Sequence, residues 1–264
     1  MRQKITKLSF LQKTLRNSVL ISLTSFFLVF VLSAFNGITK NKVSFFSADK
    51  LLITADEYII EEDNPYILLF HQQESSRGEF STIARKLCKM DYNCLAVDVR
   101  NGGSDNSISN ETVKRCKESR CSVGISDVEG DILSAIDYAF EKSNKPVILF
   151  GSVANGSLCL KIARENDNVR AVIAFSPGEY FMPEINIRDI ISDLKKPVFV
   201  SSSLAESPYV KEIVSGISEE YAEVFEPQMG EGERGTLSLS QDNENSSEYW
   251  LALLLFFFRH ERND

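Results

Sequence analysis

Two histidines, His71 and His260, are the only imidazoles in the 264-residue chain, so chemistry that needs an imidazole must use one of them. Neither stands at ligand spacing from a cysteine pair, which argues against a zinc site. His71 and Gln72 follow an apolar run, a position suited to a base or a polar pocket residue, whereas His260 ends an apolar stretch where a cation suits a helix dipole. The segment Gly151-Ser152-Val153-Ala154-Asn155-Gly156 sets a hydroxyl beside a turn at the end of another apolar run. Ser152 and Ser157 are candidate nucleophiles there, and either needs a base within hydrogen-bond reach. Carboxylates and cations also fall at the ends of apolar runs: Asp98 with Arg100, Glu179 with Tyr180, and Glu206. Of the five cysteines, Cys94 and Cys159 lie among apolar residues and read as buried packing. Cys116 and Cys121 are close enough in sequence for a local disulfide, though spacing does not establish one, and the odd total leaves at least one thiol unpaired. No glycine-rich fingerprint or phosphate loop follows a strand, so no cofactor is expected.

These residues sit on a pattern of alternating elements. Near-continuous apolar runs at 65–70 (PYILLF), 94–99 (CLAVDV), 146–150 (PVILF), 171–175 (AVIAF) and 197–200 (PVFV) predict strands, with another at 222–225. Helical spacing of apolar residues predicts helices at 78–89, 128–141 and 156–164, with further helices at 188–195, 209–215 and 247–260. Residues 50–60 show short extended runs suited to an edge hairpin after a polar stretch at 36–42. Strands without polar alternation, separated by helix-length segments, predict an α/β architecture, a mostly parallel sheet with helices on both faces. Ligands in such sheets bind at the carboxyl ends of the strands, where the candidate residues fall.

The turn at 151–156 has the strand–turn–helix context of a nucleophile elbow. Together with FHQQESSRGEF (70–80), YNCLAVDVRNGG (92–103), DILSAIDYA (131–139) and AFSPGEYF (174–181), it makes the chain from about residue 50 onward resemble the dienelactone-hydrolase-like group of the α/β-hydrolase superfamily. The resemblance implies a three-layer α/β-hydrolase fold and a site of three parts. The elbow serine of that group falls on Val153, which has neither a lone pair nor an acidic proton to attack a carbonyl. The late histidine falls on Arg234, within Gly232-Glu233-Arg234-Gly235, and a guanidinium accepts no proton. The acid falls on Glu206, which is chemically competent. The resemblance puts His71 and Gln72 in the oxyanion-side loop, with Ser152 and Ala154 flanking the apex. Glu179 and Tyr180 either line the pocket or cap their loop. Ser76 and Glu79 have capping-box spacing, which would leave the surrounding scaffold intact.

The formal net charge of -8 provides no basic stripe, so nucleic acid is not an expected partner. The beginning differs: Arg2, Lys4, Lys7, Lys13 and Arg16 precede an apolar run at 19–35, and no acidic residue occurs before Asp49. That pattern keeps its amino end in the cytosol and sends the rest across a membrane, as a cleaved signal or as an anchor. Leu32 and Phe35 make a poor cleavage motif around Ser33 and Ala34, which favours an anchor. The expected organisation is a leader at 1–42, with its membrane segment at 19–35, followed by one domain at 43–264 held at the membrane, outside the cytoplasm, or exported.

Three readings of function follow. The chain is a pseudoenzyme that binds a small anionic ligand, through Arg234 and a helix amino terminus, or a protein partner. Alternatively it is an active serine-type hydrolase of esters, lactones or peptides with a rearranged site, or an inert structural or assembly protein. Arg234 paired with Glu206 or Glu233, binding nothing, is the plain alternative to an anion pocket.

Overall fold

A computed structural model describes residues 37–260. The expected leader segment at 19–35 lies outside them. Among the described residues no helix is long and apolar enough to cross a membrane.

Ten strands and seven helices alternate along residues 38–260. In chain order they are β1 (Thr39–Phe46), β2 (Leu52–Ile59), β3 (Tyr66–Phe70), α1 (Ser81–Cys88), β4 (Asn93–Asp98), β5 (Ser104–Asp105), β6 (Ile108–Ser109), α2 (Glu111–Ser119), α3 (Ile125–Ser143), β7 (Val147–Ser152), α4 (Ala154–Glu165), β8 (Val169–Phe175), α5 (Ile187–Ile191), β9 (Val198–Ser201), α6 (Ser207–Val214), β10 (Ala222–Phe225) and α7 (Ser246–His260). Eight strands form one sheet in the order β1-β2-β4-β3-β7-β8-β9-β10, and β5 and β6 pair as a separate short hairpin. From β4 to β10 every pairing is parallel, whereas β1 on β2 and β2 on β4 are antiparallel.

The central strands read as continuous apolar runs because both of their faces are covered. Leu68, Phe70, Leu95, Val97, Leu149, Val172 and Val200 face α2 to α6, while Ile67, Leu69, Ala96, Ile148, Ile173 and Phe199 face α1 and α7. On the second face Phe150, Phe175, Phe199 and Phe225 form a ladder across four strands, with ring centroids 5.4, 6.1 and 6.4 Å apart. Tyr249 and Phe256 of α7 pack onto that ladder. Such aromatic pairs add ~0.5–1.5 kcal/mol each beyond their buried area.

Three local expectations are corrected, and one helix is added. The hairpin anticipated within 50–60 is instead made by β1 and β2, and β1 starts at Thr39, inside the polar stretch at 36–42 and before the expected domain start at 43. As an edge strand β1 is largely exposed and shows little apolar alternation. Helix α2 has no counterpart in the apolar pattern: its sequence ETVKRCKES is mostly polar, and it is fixed by Asn110 accepting from the Val113 N–H at 2.8 Å and by left-handed Arg120 at its end. The helix expected at 188–195 is one short segment, Ile187–Ile191. Ser76 does accept from the Gly78 N–H, but the Glu79 carboxylate does not return to close a capping box. Cys94 and Cys159 are buried as expected, and Cys116 and Cys121 are joined in a disulfide.

Buried ion pairs set the loops above the sheet. Arg77 bonds to Asp56 at 3.1 Å, to Glu111 at 2.8 Å and to Asp98. Asp98 also accepts the backbone N–H groups of Arg77 and Glu111, both at 2.8 Å. Arg100 bonds to Asp131 at 2.6 Å and Asp49 at 2.7 Å. Its hydrogen bond to Asp49 is the main reason that the Asp49 carboxyl lies well below its ordinary range.

Candidate active site

Strand β7 ends at Ser152 and α4 begins at Ala154, so one residue, Val153, makes the whole turn. Its backbone stands at φ 54°, ψ −121°, a conformation rare for any residue other than glycine and least suited to a β-branched one. Such conformations cost ~1–3 kcal/mol and persist only when their surroundings impose them. Here the surroundings are the close seat of α4 on β7. A Cβ on Gly151 would stand 2.5 Å from Gly156 Cα, and one on Gly156 would stand 2.9 Å from Gly151 O. The nucleophile-elbow backbone is present with valine at its apex.

The loop at 232–236 lies directly over that apex. Gly235, at φ +60°, approaches so closely that an added Cβ would be 3.1 Å from Val153 Cγ2 and 2.9 Å from Ser152 Oγ. Ser152 is buried behind the apex, and the Thr236 N–H donates to its hydroxyl at 3.4 Å. Ala154 is buried in the first turn of α4. Ser157 is also buried and is occupied by both backbone groups of Gly178, donating to the carbonyl and accepting from the N–H at 2.8 Å each. Neither serine is placed as a nucleophile.

The expected acid and the residue in the histidine position meet each other. Arg234 Nη1 donates to Glu206 Oε1 at 2.6 Å, and Arg234 Nη2 donates to Tyr180 Oη at 2.9 Å. The guanidinium also lies 5.6 Å from the Tyr180 ring centroid, a cation–π distance. Glu206 Oε2 accepts from Ser176 Oγ at 2.8 Å and Ser203 Oγ at 2.9 Å. Both carboxylate oxygens of Glu206 are therefore engaged, by donors that cannot act as a base. Ser176 holds this group against the apex, since its hydroxyl also accepts from the Gly235 N–H at 2.8 Å. Tyr180 Oη donates back to the Ser176 carbonyl at 2.9 Å, and burial pushes the Tyr180 hydroxyl above its ordinary range despite the opposing charge of Arg234.

His71 takes no part. It is fully buried, with Nδ1 2.7 Å from the Gln72 carbonyl oxygen and Nε2 accepting from the Val99 N–H and from Asn110 Nδ2, both at 3.2 Å. Both ring nitrogens are used in tying the ends of β3 and β4 to the cap of α2, so the ring is a structural tie and not a pocket base. Glu179 is likewise a cap: its carboxylate accepts the Ile187 N–H at 2.7 Å and the Arg188 N–H at 2.8 Å, the first turn of α5. Among the described residues no three His, Cys, Asp or Glu side chains converge to hold a metal ion.

Two members of the site carry no sequence signal of their role. Ser176, at φ 52°, joins Glu206 to Gly235. Glu79 accepts the Gln72 backbone N–H on Oε2 at 3.0 Å and the Thr236 hydroxyl on Oε1. In the hydrolase resemblance the Gln72 loop faces the developing oxyanion, and here a carboxylate already occupies its N–H.

Neither a protein-family model nor a curated protein matches the chain by sequence. Solved structures match it by shape. A putative dienelactone hydrolase from Klebsiella pneumoniae superposes with a TM-score of 0.65 at 16% identity, over 84% of this chain and 99% of that one. An esterase from Pyrococcus furiosus gives 0.62 at 16% identity over 84% and 91% of the two chains. A dienelactone hydrolase from Anabaena variabilis gives 0.62 at 14% identity over 84% and 98%. The chain has the α/β-hydrolase fold in the form seen in dienelactone-hydrolase-like esterases.

Proposed function

We propose that this chain is a catalytically silent α/β-hydrolase-fold protein that acts by binding a partner, at a membrane or otherwise outside the cytoplasm. Val153 at the apex of an otherwise formed elbow carries the proposal, because no other side chain can stand at the attacking position. The Arg234–Glu206 pair supports it, since an arginine cannot take up a nucleophile's proton. The basic flank and the apolar run at 19–35 support the location, as does the Cys116–Cys121 disulfide, a bond that persists in oxidising compartments.

A protein partner suits the surface better than a small anion. An anion at Arg234, whose side chain is 51% exposed, would have to displace Glu206. The surrounding Tyr180, Tyr209 and Leu204 are partly exposed, and tyrosine and arginine are the residues that anchor protein interfaces.

A fluorophosphonate probe applied to the full chain, with any adduct located by mass spectrometry, tests the proposal. The expected result is no labelled serine. Labelling of a single serine that disappears on denaturation would replace this reading with that of an active hydrolase with a rearranged site.

A second reading, an inert body used in assembly, draws support from α7. Its Leu251, Leu254 and Leu255 are 57%, 47% and 46% exposed, and Leu251 and Leu255 border a groove of about 420 Å³ beside β10.

A further inference from the structure

We propose that Cys88 and Cys94 form a second disulfide in the mature protein, leaving Cys159 as its single thiol. Cys88 is the last residue of α1 and Cys94 the second residue of β4, so a short turn separates them in sequence. Both side chains are fully buried in the cluster between α1, α7 and the sheet. Each sulfur lies at the other's backbone address. Cys88 Sγ reaches the carbonyl oxygen of Tyr58 at 3.9 Å, and Tyr58 is the cross-strand partner of Cys94. Cys94 Sγ reaches the carbonyl oxygen of Ala84 at 3.7 Å, and Ala84 lies one helical turn before Cys88. The two side chains therefore meet in the same gap between helix and strand. A hydrogen bond with Cys94 holds the Cys88 thiol below its ordinary range, while burial pushes Cys94 well above it. Cys159 cannot compete for either, because it packs in the cluster on the opposite face of the sheet.

The proposal rests on the reading that the domain folds outside the cytoplasm. There the two thiols lose two protons and two electrons as the sulfur–sulfur bond forms. A protein or small-molecule disulfide accepts both and leaves as two thiols. The reaction belongs to folding, before α1 closes over the sheet and excludes the oxidant.

The test is to isolate the full chain from the compartment where it resides, denature it without reductant and alkylate it with N-ethylmaleimide before mass spectrometry. One label per chain is expected, on Cys159. Trypsin cuts after Lys86, Lys89 and Arg100, so the peptides 87–89 and 90–100 should appear linked and should separate on reduction. Three labels, with Cys88 and Cys94 both modified, would overturn the second disulfide while leaving the oxidising compartment intact. Five labels would overturn both, because the Cys116–Cys121 bond would then be missing as well.

Discussion

Installing serine at 153 and histidine at 234 supplies the two side chains that the hydrolase resemblance places there, yet Glu79 would remain on the Gln72 N–H. A tetrahedral intermediate formed at residue 153 would then meet a carboxylate where it needs a donor. The loss of one oxyanion donor lowers kcat by ~10²–10³. The repulsion gives a similar figure: two unit charges ~4 Å apart at an effective dielectric of ~20 interact by ~4 kcal/mol, about three decades in rate. The Val153→Ser/Arg234→His double variant should therefore hydrolyse p-nitrophenyl acetate and react with a fluorophosphonate only slowly. Adding Glu79→Ala should raise both rates about 10²-fold or more. Adding Glu79→Gln should recover less, since the neutral amide removes the charge but its oxygen still holds the N–H. A triple variant with Glu79→Ala no faster than the double would refute the assignment of Glu79 as the blocking group.

His71→Ala should cost ~2–4 kcal/mol in denaturant-induced unfolding, because it strands buried donors and opens a cavity, and should leave fluorophosphonate reactivity unchanged. Glu206→Gln should destabilise the fold by ~1–3 kcal/mol through its three donors, whereas Arg234→Ala, at a half-exposed position, should cost only ~0–1 kcal/mol by the same measurement. The depressed Asp49 carboxyl contributes stability that is present above the ordinary aspartate range near ~4 and is lost as pH falls below it. Asp49→Asn should flatten the acid side of a plot of melting temperature against pH, leaving the neutral region offset but parallel.

Much of the sheet was legible because central strands of a covered parallel sheet must be apolar on both faces, and 65–70, 146–150 and 171–175 are. Edge strand β1 was not, since TKNKVSFF answers mainly to solvent. Helix α2 owes its position to Asn110 and to Arg77, whose carboxylate partners are up to 34 residues away, a pairing that no local pattern reveals. In the site, Val153, Glu206 and Arg234 could be placed through the family resemblance, and the pairing of Arg234 with Glu206 was one of two open alternatives. Glu79 and Ser176 were invisible because their roles depend on which side-chain oxygen meets which distant N–H. His71 misled for the opposite reason: its type suggested chemistry, while Val99 and Asn110 occupy its Nε2 and the Gln72 carbonyl its Nδ1.

The bent peptide at Val153 has a wider meaning. In an active enzyme such an awkward turn aims a nucleophile, yet this chain keeps the turn with valine at its tip. The bend is held because Gly151 and Gly156 touch through it and nothing straighter would bring α4 onto the sheet. The elbow is a joint between two structural layers, whatever side chain stands at its tip. The side chain at its tip can therefore vary with little consequence for the architecture, and the surface around it stays well formed whether or not that tip is reactive.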